Sequence, residues 1–392
     1  MKRDFMFTSE SVTPGHPDKL CDRISDGVVD RYLRRDPFSR VNVQCAVFKG
    51  IVFIAARYAS QAKVDLSEEA RSAIREAGYT RGPFNADDCT VITSVTERPL
   101  DPERRQDERD LDDAGLDRLT AKHQATMFGY ACRQSPGLLP LPIWLAHQLA
   151  RRLDQARAEG KLPGQCPDAK TQVGVEYREG RPHRVHSITI VTSQWQEQEP
   201  GAAELRAALD REVIQPVFAD AEVRPDRDTR LVVNPEGPAL IGGPAMHSGL
   251  TGRKVAVDTY GEYARHSGNA LCGKDPARID RIGAYAARHA AKTVVAAGLA
   301  EECEVLLSYS IGLAEPVSVQ VQTFGTGGDD LALTNRVREA FDFRPGAIIA
   351  RFDLRGHLAR HGSLFAPLAA YGQVGRTDLA LPWEEVAPDV LA

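Results

Sequence analysis

The sequence predicts an α/β protein of the α+β kind, with three similar α/β units arranged in pseudo-threefold symmetry. Two observations carry this. The order helix–strand–strand–helix–strand is written three times, and the first hairpin strands begin near residues 43, 172 and 304, offsets of 129 and 132. Apolar residues alternate with period two across each hairpin and near 3.6 across each helix, the pattern of helices packed on one face of a mostly antiparallel sheet. The units share a pattern and no residue-level identity, and the period is too long for a solenoid.

The first unit, 1–98, opens with a helix over about 18–34. Leu20, Ile24, Val28 and Tyr32 form its apolar stripe, and Pro17 suits a first helical position. Asp18, Asp22 and Asp26 recur at the same spacing, so they share one face. Like charges so placed cost about 0.2–0.5 kcal/mol per pair. That face is either solvated or lies against a cation: Lys, Arg or a divalent metal. A hairpin at 41–58 turning at Lys49-Gly50, a helix at about 66–77 and a strand at 90–96 complete the unit.

The central unit, 115–232, has a helix at about 141–158, a hairpin at 171–192 turning at Glu179-Gly180, a helix at about 202–216 and a strand at 229–234. The third, 233–392, has a helix at about 276–298, a hairpin at 303–323, a helix at about 331–342 and a last extended stretch at 346–353. Between the first two units lies 97–120, "ERPLDPERRQDERDLDDAGLDRLT", almost wholly polar. It reads as a solvated linker or as an active-site lid.

Composition narrows the class. The 392 residues carry a net charge of -5, with no basic footprint for nucleic acid. Seven cysteines are dispersed without CxxC spacing, which argues against a disulfide framework or a zinc site and for a reducing, cytoplasmic compartment. The most apolar stretch, 137–153, is too short and too broken by Pro and Gln to span a bilayer, so no membrane is expected.

Three stretches suit a polyanion. "PDAKTQV" places Asp168 and Lys170 two apart at a strand start, hence on one face. "GLTGRKVAVDTYG" sets Arg253 and Lys254 after glycines that allow close backbone approach, also at a strand start. "GKDPARID" puts Lys274 and Asp275 before Pro276 at a helix start, with Asp280 in an early turn. None is a Walker A loop or a GxGxxG fingerprint. Together they describe a phosphate site assembled from the starts of different elements.

These stretches, with "FTSESVTPGHPDKLCDRISD" (7–26), "MFGYA" (127–131), "ARHSGNALCGKDPARIDR" (264–281) and "SYSIGLAEPVSVQVQTFGT" (308–326), resemble the methionine adenosyltransferase (S-adenosylmethionine synthetase) family. The resemblance implies three similar α/β domains and a homodimer or homotetramer with active sites between subunits. It implies a transferase in which a thioether sulfur displaces triphosphate from C5′ of ATP, and the triphosphate is then cleaved to pyrophosphate and phosphate. By the match, His16 sits near the breaking bond, and Asp18 and Asp280 hold Mg²⁺. Lys170, Arg253, Lys254 and Lys274 surround the phosphates, and Glu10 and Asp168 belong to the same site.

The acceptor half departs from the family. Arg57 and His123 stand where carboxylates would face the methionine ammonium, and His247 replaces an Asp shared by nucleotide and methionine. Arg98 replaces a Gln, and Arg278 replaces the Lys that meets the methionine carboxylate. Gln44 replaces the Glu of the potassium site, so a K⁺ ion loses its carboxylate there. Pro238 and Ala239 stand where the family has Arg and an adenine-stacking Phe, so the nucleotide is ATP or a related nucleoside triphosphate. A charge reversal at ~4 Å and an effective dielectric near 20 is worth several kcal/mol. The expectation is therefore a small anionic second substrate other than methionine. The alternatives are a genuine methionine adenosyltransferase with a rebuilt pocket, a non-catalytic nucleotide- or triphosphate-binding paralogue, and triphosphate hydrolysis alone.

Overall fold

The computed structural model describes residues 4–102, 105–195, 201–237 and 239–391. The first sheet-forming elements are β1 (Phe5–Val12), α1 (Pro17–Arg35), β2 (Arg40–Phe48), β3 (Ile51–Ala59), α2 (Leu66–Glu76) and β4 (Thr90–Glu97). A short α3 (Asp113–Arg118) leads to β5 (Ala125–Cys132), α4 (Leu141–Ala158), β6 (Gln165–Arg178) and β7 (Arg181–Gln194). Then come α5 (Ala202–Leu209), α6 (Gln215–Phe218), β8 (Pro225–Val233), β9 (Ala239–Leu240), β10 (Gly249–Leu250) and α7 (Val255–Asp258). The chain closes with α8 (Ile279–Ala296), β11 (Glu302–Tyr309), β12 (Ser318–Gln322), α9 (Asp330–Ala340), α10 (Pro345–Arg351) and α11 (Leu354–His361).

Three sheets result, each with an antiparallel hairpin and a long helix of its own unit against it. In the first two, the second hairpin strand runs through a helix into a parallel strand: β3–α2–β4 and β7–α5–β8. Both predicted turns hold. Lys49, Glu179 and Gly180 take the left-handed conformation that a two-residue hairpin loop needs. In the third unit the predicted extended stretch at 346–353 is instead α10. Arg344 precedes it without a side-chain cap bond, Pro345 opens it, and Ile348 and Ile349 are buried. Pro at the first helical position has its φ preset for a helix and lacks only an N–H that would go unused.

The sheets trade strands. β1 of the first unit pairs with β6 of the second, along eight residues from Phe5↔Tyr177 to Val12↔Lys170. β5, ahead of the second unit's helix, pairs with β11 of the third, and β10 of the third pairs with β2 of the first. Gly249 makes the last pairing possible: a Cβ there would lie 2.1 Å from the Pro17 carbonyl oxygen. The first and third units share one apolar core, running from Leu20 and Val43 to Tyr285 and Trp383. The central sheet packs its own around Leu149, Val173 and Ile190.

The acidic face of α1 is not solvated. Asp18, Asp22, Asp26 and Asp30 are all buried, and each accepts backbone N–H groups from the third unit. Asp18 takes Leu250 N at 3.1 Å, Asp22 takes Gly252 N at 2.7 Å, and Asp26 takes Gly273 N at 2.7 Å. Asp30 takes the amides of Leu364, Phe365 and Ala366. Cations complete the neutralisation. Lys19 lies between Asp22 and Asp258, and Arg281 forks onto Asp26 at 2.8 and 2.6 Å. The repeat is a docking edge on which the loops carrying Arg253, Lys254 and Lys274 are hung.

The segment 97–120 is largely exposed among its described residues, yet tied to the rest of the fold at several points. Its described residues include α3 and a 3-10 turn, Glu108–Asp110. Glu108 is buried against Arg355, Arg105 forks onto Asp36, and Arg344 reaches Asp113 and Asp117. No helix among the described residues is long and apolar enough to cross a membrane.

Candidate active site

The sequence-predicted residues gather in two groups, one at the start of α1 and one at its middle. The first group surrounds the helix start. His16 caps α1, its Nδ1 accepting the Asp18 N–H at 3.2 Å. The imidazole is buried, which pushes its pKa down to about 3; Lys170, His247 and Lys254 push the same way and Asp168 opposes them. His16 is therefore neutral, and since Nδ1 accepts, Nε2 carries the proton.

Asp168 is buried at the start of β6. Burial alone would raise its pKa, but the bond from His247 Nε2 at 2.9 Å, the nearby His16 and the Gly243 N–H at 2.8 Å hold it below the usual carboxylate range. The His247 and His16 rings meet edge to face, centroids 5.3 Å apart. Lys170, two residues on, is exposed, so the shared strand start gives the pair two different environments. Lys254 reaches Glu10 at 2.7 Å, and Arg253 lies 3.8 Å from Asp18.

Arg253 and Lys254 do not open a strand. They follow the two-residue β10 and precede α7, because Gly252 turns in the left-handed conformation with its N–H fixed by Asp22. His16, Asp168 and His247 offer ligand atoms within 4.8 Å of one another, as a metal cradle would. The Nδ1 of His16 is committed to the helix cap and Nε2 of His247 to Asp168, so two of those ligand atoms are already engaged within the protein.

The second group lies about 12 Å further along α1, the rise of the eight residues from Asp18 to Asp26. Asp26 fixes Gly273, whose left-handed turn passes so close to β2 that a Cβ would meet the Val43 carbonyl oxygen at 2.1 Å. Lys274 follows, bonded to Asp280 at 2.9 Å, with burial lowering its pKa against the pull of that carboxylate. Asp280, in the first turn of α8, also takes Asn269 Nδ2 at 3.3 Å. His123 Nε2 stands 2.9 Å from Asp280, without the alignment of a hydrogen bond.

Beside this group opens a cleft of about 240 Å³. Arg57, Arg98 and Arg278 line it, joined by Arg40, Arg118 and Lys122, which sequence reasoning did not single out. Of its two acids, Glu108 is bonded to Arg355, and Asp275 takes the amides of Val41 and Ala277 and lies 3.7 Å from Arg40 of the cleft itself. Arg278 Nε is buried without a partner among the described residues. His123 and His247 do not line this cleft. Lys122 and Arg118 sit in the charged segment already noted, and only the folded chain shows which of its cations face inward.

Gln44 projects from the exposed face of β2 as a neutral amide. Carboxylate oxygens of the Asp18 and Asp280 type fit Mg²⁺. Of the altered nucleotide stretch, Pro238 lies outside the described residues, and Ala239 is described in its backbone alone.

Three α/β sheets gather Lys, Arg and buried carboxylates at loop and helix starts, an arrangement suited to a polyanion. Family models for S-adenosylmethionine synthetase match throughout: the N-terminal domain at residues 4–99, the central domain at 118–239 and the C-terminal domain at 241–385. The chain is 46% identical to the S-adenosylmethionine synthase of Gloeothece citriformis, over 98% of this chain and 96% of that protein. It is 48% identical to that of Gloeobacter violaceus, over 97% and 95%. It belongs to the S-adenosylmethionine synthetase family.

Proposed function

We propose that the chain transfers the adenosyl group of ATP to a small anionic acceptor, expelling triphosphate from C5′ and cleaving it to pyrophosphate and phosphate. The cleft carries the acceptor reading. Six cationic side chains and two carboxylates line it, one carboxylate bonded to Arg355 outside it and the other beside Arg40, so positive charge is in excess. An α-ammonium placed there meets like charge, whereas a carboxylate, sulfonate or phosphate meets guanidinium forks suited to it.

The leaving-group half rests on the first group and Lys274. Asp18 and Asp280, in groups about 12 Å apart along α1 in one chain, would hold Mg²⁺ at one triphosphate only if they come from two copies of the chain. Lys170, Arg253, Lys254 and Lys274 bring fixed cations to the same charge, placed before the reaction begins. His16, neutral and protonated on Nε2, can donate that proton to oxygen as the C5′–O5′ bond opens.

Each site is completed, in this reading, by a second copy of the chain. A row of side chains crosses the first sheet from Leu250 through Ala46 and Phe53 to Ile92, with Phe48 and Ile51 beside it. All but Ala46 are large, apolar and about half exposed. The strand register puts Arg57 on that same outer face, so a copy seated on the apolar rows borders the cationic cleft.

The test is incubation with ATP, Mg²⁺ and either methionine or carboxylated acceptors, followed by mass spectrometry of adenosyl products. Adenosylated anionic product with little adenosylmethionine supports the proposal. A good rate with methionine supports the second reading, a methionine adenosyltransferase with a rebuilt pocket. That reading is favoured by the relatives 46–48% identical, which carry the name S-adenosylmethionine synthase.

A further inference from the structure

We infer that Trp195 is the platform on which the base of the nucleotide stacks. This rests on the adenosyl-transfer reading above and deepens it.

The register of the central sheet sets out a row of groups. Ala169 of β6 lies opposite Thr192 of β7, and its side chain packs into the central core. Side chains alternate along a strand, so Asp168 and Lys170 face the other way, as do Val191, Ser193 and Trp195. Gly242 marks that face: a Cβ there would meet both the Ser193 hydroxyl and Asp168 Oδ2. Lys170 stands opposite Val191, and Trp195 follows the last β7 pair, its N–H donated to the Gly164 carbonyl at 2.8 Å. Val191 and Trp195 are four residues apart, about 13 Å along the strand. Asp168 falls between. A cation, a carboxylate and an aromatic ring thus succeed one another on one face, in the order of the phosphates, sugar and base of a nucleoside triphosphate.

The middle of the row lacks a donor. His247 and the Gly243 N–H take Asp168 Oδ2, whereas the buried Oδ1 has no partner among the described residues. A sugar hydroxyl is a donor that would satisfy it. His16 feels the charges of both Asp168 and Lys170, so C5′ beside His16 falls between sugar and phosphates.

The far end suits a flat ring. Trp195 is partly exposed, and the Arg81 guanidinium lies over its indole, 5.2 Å from the centroid. Gly82, in the left-handed conformation, passes so close that a Cβ would collide with the six-membered ring. The indole is therefore fixed in advance, and a base stacked on it orders little else. Arg81 also reaches the Asp168 corner. Burial pushes the Cys166 thiol up to about 11, Asp168 adds to the rise and Arg81 opposes it, so both charges neighbour one sulfur.

Trp195 can be read apart from the other tryptophans: Trp383 is wholly buried and Trp144 packs against two apolar cores. The experiment titrates the full chain, with Mg²⁺, using the β,γ-imido analogue of ATP and, separately, tripolyphosphate. The ATP analogue should quench tryptophan emission of wild type, and tripolyphosphate should not. Trp195→Ala should lose the quench and raise Kd for the ATP analogue about 5–150-fold, the range of base–aromatic stacking. Its calorimetric affinity for tripolyphosphate should stay unchanged. Trp195→Phe keeps a stacking face and should restore most of the ATP-analogue affinity. Equal loss of both ligands in Trp195→Ala marks a structural role and overturns the inference. An unchanged Kd for the ATP analogue, or its binding to wild type without a quench, does the same. Wild type that binds neither ligand overturns the adenosyl-transfer reading itself.

Discussion

Replacing Asp26 by Asn separates the docking edge of α1 from its partners with minimal change of shape. Asp26 and Arg281 are both fully buried. The carboxylate accepts two guanidinium bonds at 2.8 and 2.6 Å and the Gly273 N–H at 2.7 Å. Asparagine keeps one acceptor, turns an NH₂ toward the guanidinium and strands a buried charge. Breaking such a pair from one side costs about 3–5 kcal/mol. The face of Phe365, 3.9 Å from the guanidinium carbon, retains part of the compensation, so the expected loss is about 3 kcal/mol.

Urea unfolding followed by tryptophan fluorescence measures it. Trp383 stacks at 3.8 Å on Tyr285, whose hydroxyl accepts from Arg281, so the probe sits beside the lesion. In the double variant Asp26→Asn/Arg281→Met no buried charge remains, and a substantial part of the loss should return. A loss under about 1 kcal/mol for Asp26→Asn, or simple additivity in the double variant, would refute the view that this pair pins the Gly273–Lys274 loop.

Asp280→Ala should abolish triphosphate release whatever the acceptor, as should Lys170→Ala; retained release would remove both from the site. Arg57→Glu with Arg98→Glu should raise KM for an anionic acceptor at least about tenfold with a smaller change in kcat, since both line the cleft and only bind. An unchanged KM would move the acceptor elsewhere. His16 titrates near 6.5 when unfolded and near 3 when folded, so between those values the unfolded chain holds the extra proton. Stability should therefore fall as pH drops from 6.5 toward 3, and His16→Gln should flatten that slope by one proton; no change in slope would deny the buried neutral imidazole. For the same reason a pKa seen in the rate near neutrality belongs to another group.

The periodicity of the chain determined its local elements: the three helix–hairpin–helix patterns, both tight turns and the Pro17 helix start. Those signals are local, set by which residues fall on one face within a few turns or strand positions. The family, too, was legible in ordered motifs such as "GHPDKLCDRISD" and "GLTGRK". The repeat misled at 346–353, where the pattern of the first two units called for a strand and Pro345 opened a helix instead.

The tertiary structure alone decided where each unit finds its extra strand, because β1, β5 and β10 pair with sheets of other units across long stretches of chain. It also decided what the acidic face of α1 is for. Asp26 meets Gly273 247 residues away, and no local spacing records which distant amide will need a carboxylate. Likewise, the sequence showed Arg57, Arg98 and Arg278 as separate departures from a family pattern. Folding made them one cleft and added Arg40, Arg118 and Lys122. It placed His123 and His247 outside that cleft, His123 beside Asp280 and His247 against Asp168. Local sequence fixes the faces of elements; which faces meet is set by long-range backbone pairing and burial, where a charge persists only against a partner it reaches through the fold.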